Sequence, residues 1–190
     1  MTMIKDGEGG GYMAGVTSEK RLKIAGVTSS IEHHINHEYG KAFNMMFNET
    51  AAGADDCIVY MKNTDSCTMT IEGIYIYVAG AVTVTIKTGA SGTRNGAVTN
   101  VPAVLNAGAT TEANGDFETG SDLAGGSATL DGTEIEVFKF RFSGETDTKY
   151  FNFDQDIIVP QNQTITVWLS AAVEVDGMIP FNYHSDEAYA

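Results

Sequence analysis

Basic residues are what this chain has least of. Lys and Arg number 11 in 190 residues against 25 Asp and Glu, which gives a formal net charge of −14. Gripping nucleic-acid phosphates takes clustered Lys and Arg, and holding anionic lipid takes a basic patch. The balance therefore argues against nucleic acid and membrane as partners. Cysteine is scarce too. Cys57 and Cys67 are too few for a disulfide scaffold, so two reduced thiols are expected, with a single bridge as the alternative. No apolar run approaches the ~20 residues of a membrane span. The opening Met1–Gly7 lacks the apolar stretch of a signal peptide, so a chain made and kept in the cytosol, or assembled there, is expected.

Catalytic motifs are also missing. There is no Gly-x-Ser-x-Gly, no P-loop and no Gly-x-Gly-x-x-Gly after a strand, so neither enzyme activity nor a cofactor is expected. Glu32-His33-His34-Ile35-Asn36-His37 is the densest polar cluster. On a helix, His33 and His37 would share a face, which suits zinc. The His-Glu-x-x-His order is absent, however, and in extended chain the two lie about 13 Å apart. Hydrogen-bonded structural histidines are the expectation, for these and for His184. In the stretch Thr110–Gly132, Asn114, Asp116, Glu118 and Asp122 could offer oxygens to calcium, but the EF-hand order is absent and a solvated loop is expected.

What is present is unevenly distributed. Residues 1–41 hold five bases and five acids, so the whole excess of acid falls after position 41. Residues 1–30 are Gly-rich and read as an extended N-terminal arm. Ala14-Gly15-Val16-Thr17-Ser18 recurs at Ala25-Gly26-Val27-Thr28-Ser29, by chance or as two copies lying in equivalent grooves. Between them stands the one basic cluster, Lys20-Arg21-Leu22-Lys23. Tyr12, Lys20, Arg21, Leu22, Lys23 and Ile24 are the candidate partner-binding residues of the arm.

Residues 31–190 read as one all-β domain, an antiparallel, jelly-roll-like β-sandwich. Cys57–Met61 is a short apolar strand. In Thr68–Val78, Ile74, Ile76 and Val78 alternate with Tyr75 and Tyr77, and Val82, Val84 and Ile86 alternate with threonines. Ala79-Gly80 between these two runs predicts a tight hairpin. In Glu134–Phe142 the apolar parity flips between Val137 and Phe138. One face cannot stay buried through such a step without a β-bulge or a change of sheet. Ile157–Val159, then Ile165, Val167 and Leu169, then about Met178 to Tyr183 complete the strands. Thr110–Gly132 fits no strand and predicts a long exposed excursion. Tyr75, Tyr77 and Trp168 could form a platform for stacking on a glycan, although packing is the commoner fate of such rings.

The run Ile31-Glu32-His33-His34-Ile35-Asn36-His37-Glu38-Tyr39-Gly40-Lys41-Ala42-Phe43 resembles the opening of small β-sandwich virion proteins of tailed bacteriophages. Tyr60-Met61-Lys62-Asn63-Thr64-Asp65, Asn100–Gly108, the block from Phe153-Asp154 to Ile157-Ile158-Val159-Pro160-Gln161-Asn162, and Val175–His184 extend the likeness over most of Ile31–His184. The Gly-rich arm and Pro180 inside the last strand depart from it. The resemblance implies a structural role in a virion assembled in host cytoplasm. The first expectation is a capsid decoration protein that contacts the major capsid protein through its arm and self-associates as a trimer. The alternatives are a neck or tail adaptor or fibre component, and a carbohydrate-binding module.

Overall fold

The structure is a computed structural model that describes residues 40–130, 134–144 and 148–184, together with three short strands nearer the N-terminus. By backbone contacts the chain divides into two compact units, Met1–Ser30 and Ile31–Ala190.

In the first unit, β1 (Ile4–Lys5), β2 (Met13–Val16) and β3 (Leu22–Lys23) form a small antiparallel sheet in the order β1-β2-β3. Ile4 faces Ala14, and Gly15 faces Lys23. These three short strands fall within the stretch that the sequence reads as an N-terminal arm. The first copy of the repeated pentapeptide contributes to β2; the second lies outside the described residues.

The second unit is all-β, as expected. Its strands are β4 (Ala42–Thr50), β5 (Asp56–Asn63), β6 (Thr68–Val78), β7 (Ala81–Thr88), β8 (Val98–Thr99), β9 (Ala103–Val104), β10 (Gly115–Thr119), β11 (Ile135–Ser143), β12 (Lys149–Val159), β13 (Thr164–Leu169) and β14 (Glu174–His184). One sheet has the order β11-β7-β13-β5-β10-β8 and the other β12-β6-β14-β4-β9, antiparallel throughout. With β8, β9 and β10 set aside, eight strands remain, arranged as β11-β7-β13-β5 and β12-β6-β14-β4. That is the jelly-roll order, in which consecutive strands swap sheets. Alternate residues of both sheets meet in one core that includes Phe43, Met45, Ile58, Ile74, Val84 and Phe181.

The swap corrects the hairpin expected at Ala79-Gly80. β6 pairs with β12 and β14, and β7 with β11 and β13, so the Ala79-Gly80 link carries the chain from one sheet to the other. The Ala79 N–H still donates to the Glu174 carbonyl at 2.9 Å, and the chain leaves the ladder after it. Thr110–Gly132 is corrected as well. It contains β10, which pairs with β5 and β8 and buries Phe117, and it plugs a second, smaller core with Leu123.

The β-bulge required by the parity flip is present between Glu136 and Phe138. Ile135 faces Thr88, Glu136 faces Lys87 and Phe138 faces Ile86, so Val137 is the extra residue and Ile135 returns to the inner face. A larger irregularity crosses the other sheet. Asn152 and Ile157 of β12 face Gly73 and Ile71 of β6, which leaves three surplus residues on β12. Among them Asp154 has φ +48°, and its N–H is taken by the Asn152 side chain at 3.0 Å. At the same level Pro180 stands between Met178 and Phe181, where the pairing of β14 with β6 breaks. A central strand tolerates proline only at such a break, because proline has no N–H for the ladder.

Candidate functional site

The two distorted strands lie at the ends of their sheets. Among the described residues β11 pairs only with β7 and β12 only with β6, so each has one backbone edge without a ladder. Phenylalanines close the sandwich between them. Phe140 stacks on Phe151 with centroids 3.9 Å apart, and Phe138 meets Phe153 edge-on at 5.0 Å. Beyond this seal the bulge at Val137 and the surplus stretch of β12 border a groove of about 630 Å³. Phe138, Phe153 and Ile157 form its floor, and Ile135, Val137 and Ile158 stand at its lip with 67%, 43% and 58% of their surface exposed. Among the described residues, Asp154 and Asp156 are its only charged lining residues, and no Lys, Arg or His lines it. Its chemistry is apolar contact, two carboxylates and free backbone edges. That suits binding an extended chain, and no nucleophile and base are paired among its described residues.

A second apolar patch marks the opposite side. Residues 98–105 cross from the β8 edge of one sheet to the β9 edge of the other and expose Val98, Val101 and Leu105. Met46 is exposed beside them, and its carbonyl accepts from the Asn100 side-chain amide at 2.6 Å.

The tyrosines and Trp168 are not brought together. Ile74 and Ile76 point into the core, so Tyr75 and Tyr77 lie on the outer face of the β6 sheet, where Tyr75 stacks on Tyr150 at 4.1 Å. Trp168 is on the outer face of the other sheet. There Lys87 Nζ lies 3.7 Å above its ring, its indole N–H donates to Thr166, and it packs against Cys57, Tyr60 and Leu123. The proposed stacking platform is therefore corrected, because three rings divided between opposite faces of a sandwich cannot share one sugar.

The acidic stretch has other partners. Glu118 receives a forked pair of hydrogen bonds from Arg94, whose guanidinium lies 4.2 Å from the Tyr60 ring centre. That carboxylate raises the Arg94 pKa, while burial pushes the Tyr60 phenol up against the opposing pull of Arg94. Asn114 Oδ1 accepts from Thr64 at 2.9 Å, and its carbonyl accepts from the Tyr183 hydroxyl at 2.9 Å. Burial raises the Tyr183 pKa. Among the described residues no three His, Cys, Asp or Glu side chains gather as for a metal.

Cys57 and Cys67 are both free thiols; burial pushes the pKa of Cys57 far up, which leaves it an inert core residue. At Asp65 burial alone would raise the pKa. Hydrogen bonds from the Cys67 N–H (2.8 Å) and thiol, the Lys41 charge and the Asn114 amide outweigh it and hold the carboxyl below its usual range. Of the arm candidates, Leu22 and Lys23 form β3, while Tyr12, Lys20, Arg21 and Ile24 lie outside the described residues, as do His33, His34 and His37. His184 ends β14, half-buried.

Sequence reasoning missed the groove. Its one local signal was the parity flip at Val137-Phe138, which marked a bulge but not the bulged strand opposite. No family model matches this chain, and no curated protein or solved structure matches it either.

Proposed function

We propose that this chain is a non-enzymatic structural protein of a tailed-phage virion. In this reading it decorates the outer face of the capsid, tied to the major capsid protein through residues 1–30 and to copies of itself through the sandwich. The phage setting rests on the resemblance over Ile31–His184. The observation that best supports an assembly role is the pair of apolar patches at opposite sides of the sandwich. Large apolar side chains gathered at sheet edges are usually covered by a partner. The jelly roll is compatible with the reading but does not carry it, since the same fold serves capsid and lectin domains alike. The charge supports an outward orientation, because packaged DNA repels a body that holds the whole acid excess.

Deletion tests this directly. A chain lacking residues 1–30 should keep a folded sandwich and fail to bind heads that the full chain decorates. Decoration by the truncated chain would overturn the role given to the arm.

A further inference from the structure

The groove between β11 and β12 has a fitting occupant in the sequence itself. We infer that it receives the stretch Lys20–Ile24 of a second copy, which contains β3 (Leu22–Lys23), as an added strand. This deepens the self-association half of the reading above by naming the surfaces that meet, and it leaves β1, β2 and Tyr12 for the shell.

Three observations converge. The first is charge. Residues 1–30 hold four bases and three acids, while residues 31–190 hold seven bases and 22 acids, so the chain's positive density lies beside Leu22. Among the described residues, the groove's only charges are Asp154 and Asp156. The second is pattern. Leu22 and Ile24 alternate with Arg21 and Lys23, so an extended strand sets two apolar side chains on one face and two cations on the other. The groove offers the complement, with an apolar floor of Phe138, Phe153 and Ile157 and carboxylates at the lip. The third is backbone. Among the described residues, β3 is the last strand of its small sheet and pairs only with β2, so it has an edge without a ladder, as β12 does. Two free edges joined in register satisfy each other's N–H and C=O groups, while alternate side chains set specificity. The rim charges would steer the approach and fix the register.

Sedimentation velocity on the full chain, without particles, is the test. Wild-type chain should associate as its concentration rises. R21E/K23E and D156K should each weaken association by about tenfold or more, and I158D should abolish it, while thermal melting keeps each sandwich folded. Mixing R21E/K23E with D156K should restore a dimer, because the unaltered arm of one fits the unaltered groove of the other. A wild-type chain that stays monomeric overturns the inference; so does association that survives I158D, or a mixture that stays monomeric. The two readings fail separately. Association in solution without head binding removes decoration and leaves the groove contact standing, and head binding by a strict monomer does the reverse.

Discussion

Gly73 shows how little room the distorted region leaves. A Cβ there would meet the Phe151 carbonyl oxygen at 2.5 Å and the Tyr150 ring at 2.7 Å. Backbone cannot step aside as a long side chain can, so Gly73→Ala should cost about 1–3 kcal/mol. Chemical denaturation would read this as a lower midpoint; an unchanged midpoint would mean that β6 and β12 sit less closely than described. Asp65 gives a pH-dependent signature. Its pKa is lowered in the folded state from an ordinary value of 3.8, so its contribution is present above that value and is lost as pH falls through the lower folded value. Melting curves of wild type and Asp65→Asn should differ by a constant margin near neutral pH. Below about pH 4 the margin should narrow; a margin that stays constant to strongly acidic pH would contradict the Cys67 and Lys41 contacts. Neither effect could be read from sequence, because Gly73 looks like any strand glycine and Asp65 like any turn acid until the neighbouring strand is in place.

At the scale of elements, the period of two carried the reading far. It located β5, β6, β7, β11 and β13, and the parity flip located the bulge at Val137, because side-chain alternation is a local property of each strand. It could not say which strand lies beside which. β6 and β7 alternate cleanly on either side of Ala79-Gly80, yet a hairpin and a step between sheets leave the same local pattern. β10 was hidden for another reason: it is five residues long and has one large apolar side chain, Phe117, within Gly, Thr and acidic surroundings. Its hold on the sandwich includes the Arg94–Glu118 fork, which is only partly exposed. Removing the cation leaves a half-buried carboxylate without its strongest partner. Arg94→Met should therefore speed amide exchange in residues 90–97 and in β10, with β6 and β14 unchanged. Equal exchange in all four would show that the fork contributes nothing.

For the whole molecule, the excess of acid resolves into a division of labour. A jelly roll with its own buried core carries the negative charge, and a short segment with its own small sheet carries the basic cluster. Because every described residue of that core falls between Phe43 and Tyr183, removing residues 1–30 should leave the sandwich's melting temperature within a few degrees of the full chain's. A collapse on deletion would show that the arm is part of the fold rather than a tether.

The central claim is that the protein covers a shell, and imaging of intact particles tests it most directly. Electron cryomicroscopy of heads that carry the chain, compared with heads from which it has been removed, should show density repeated over the outer face. The acidic sandwich should point to solvent and residues 1–30 should lie against the major capsid protein. Density confined to the neck or tail, or none on the head, would contradict the account.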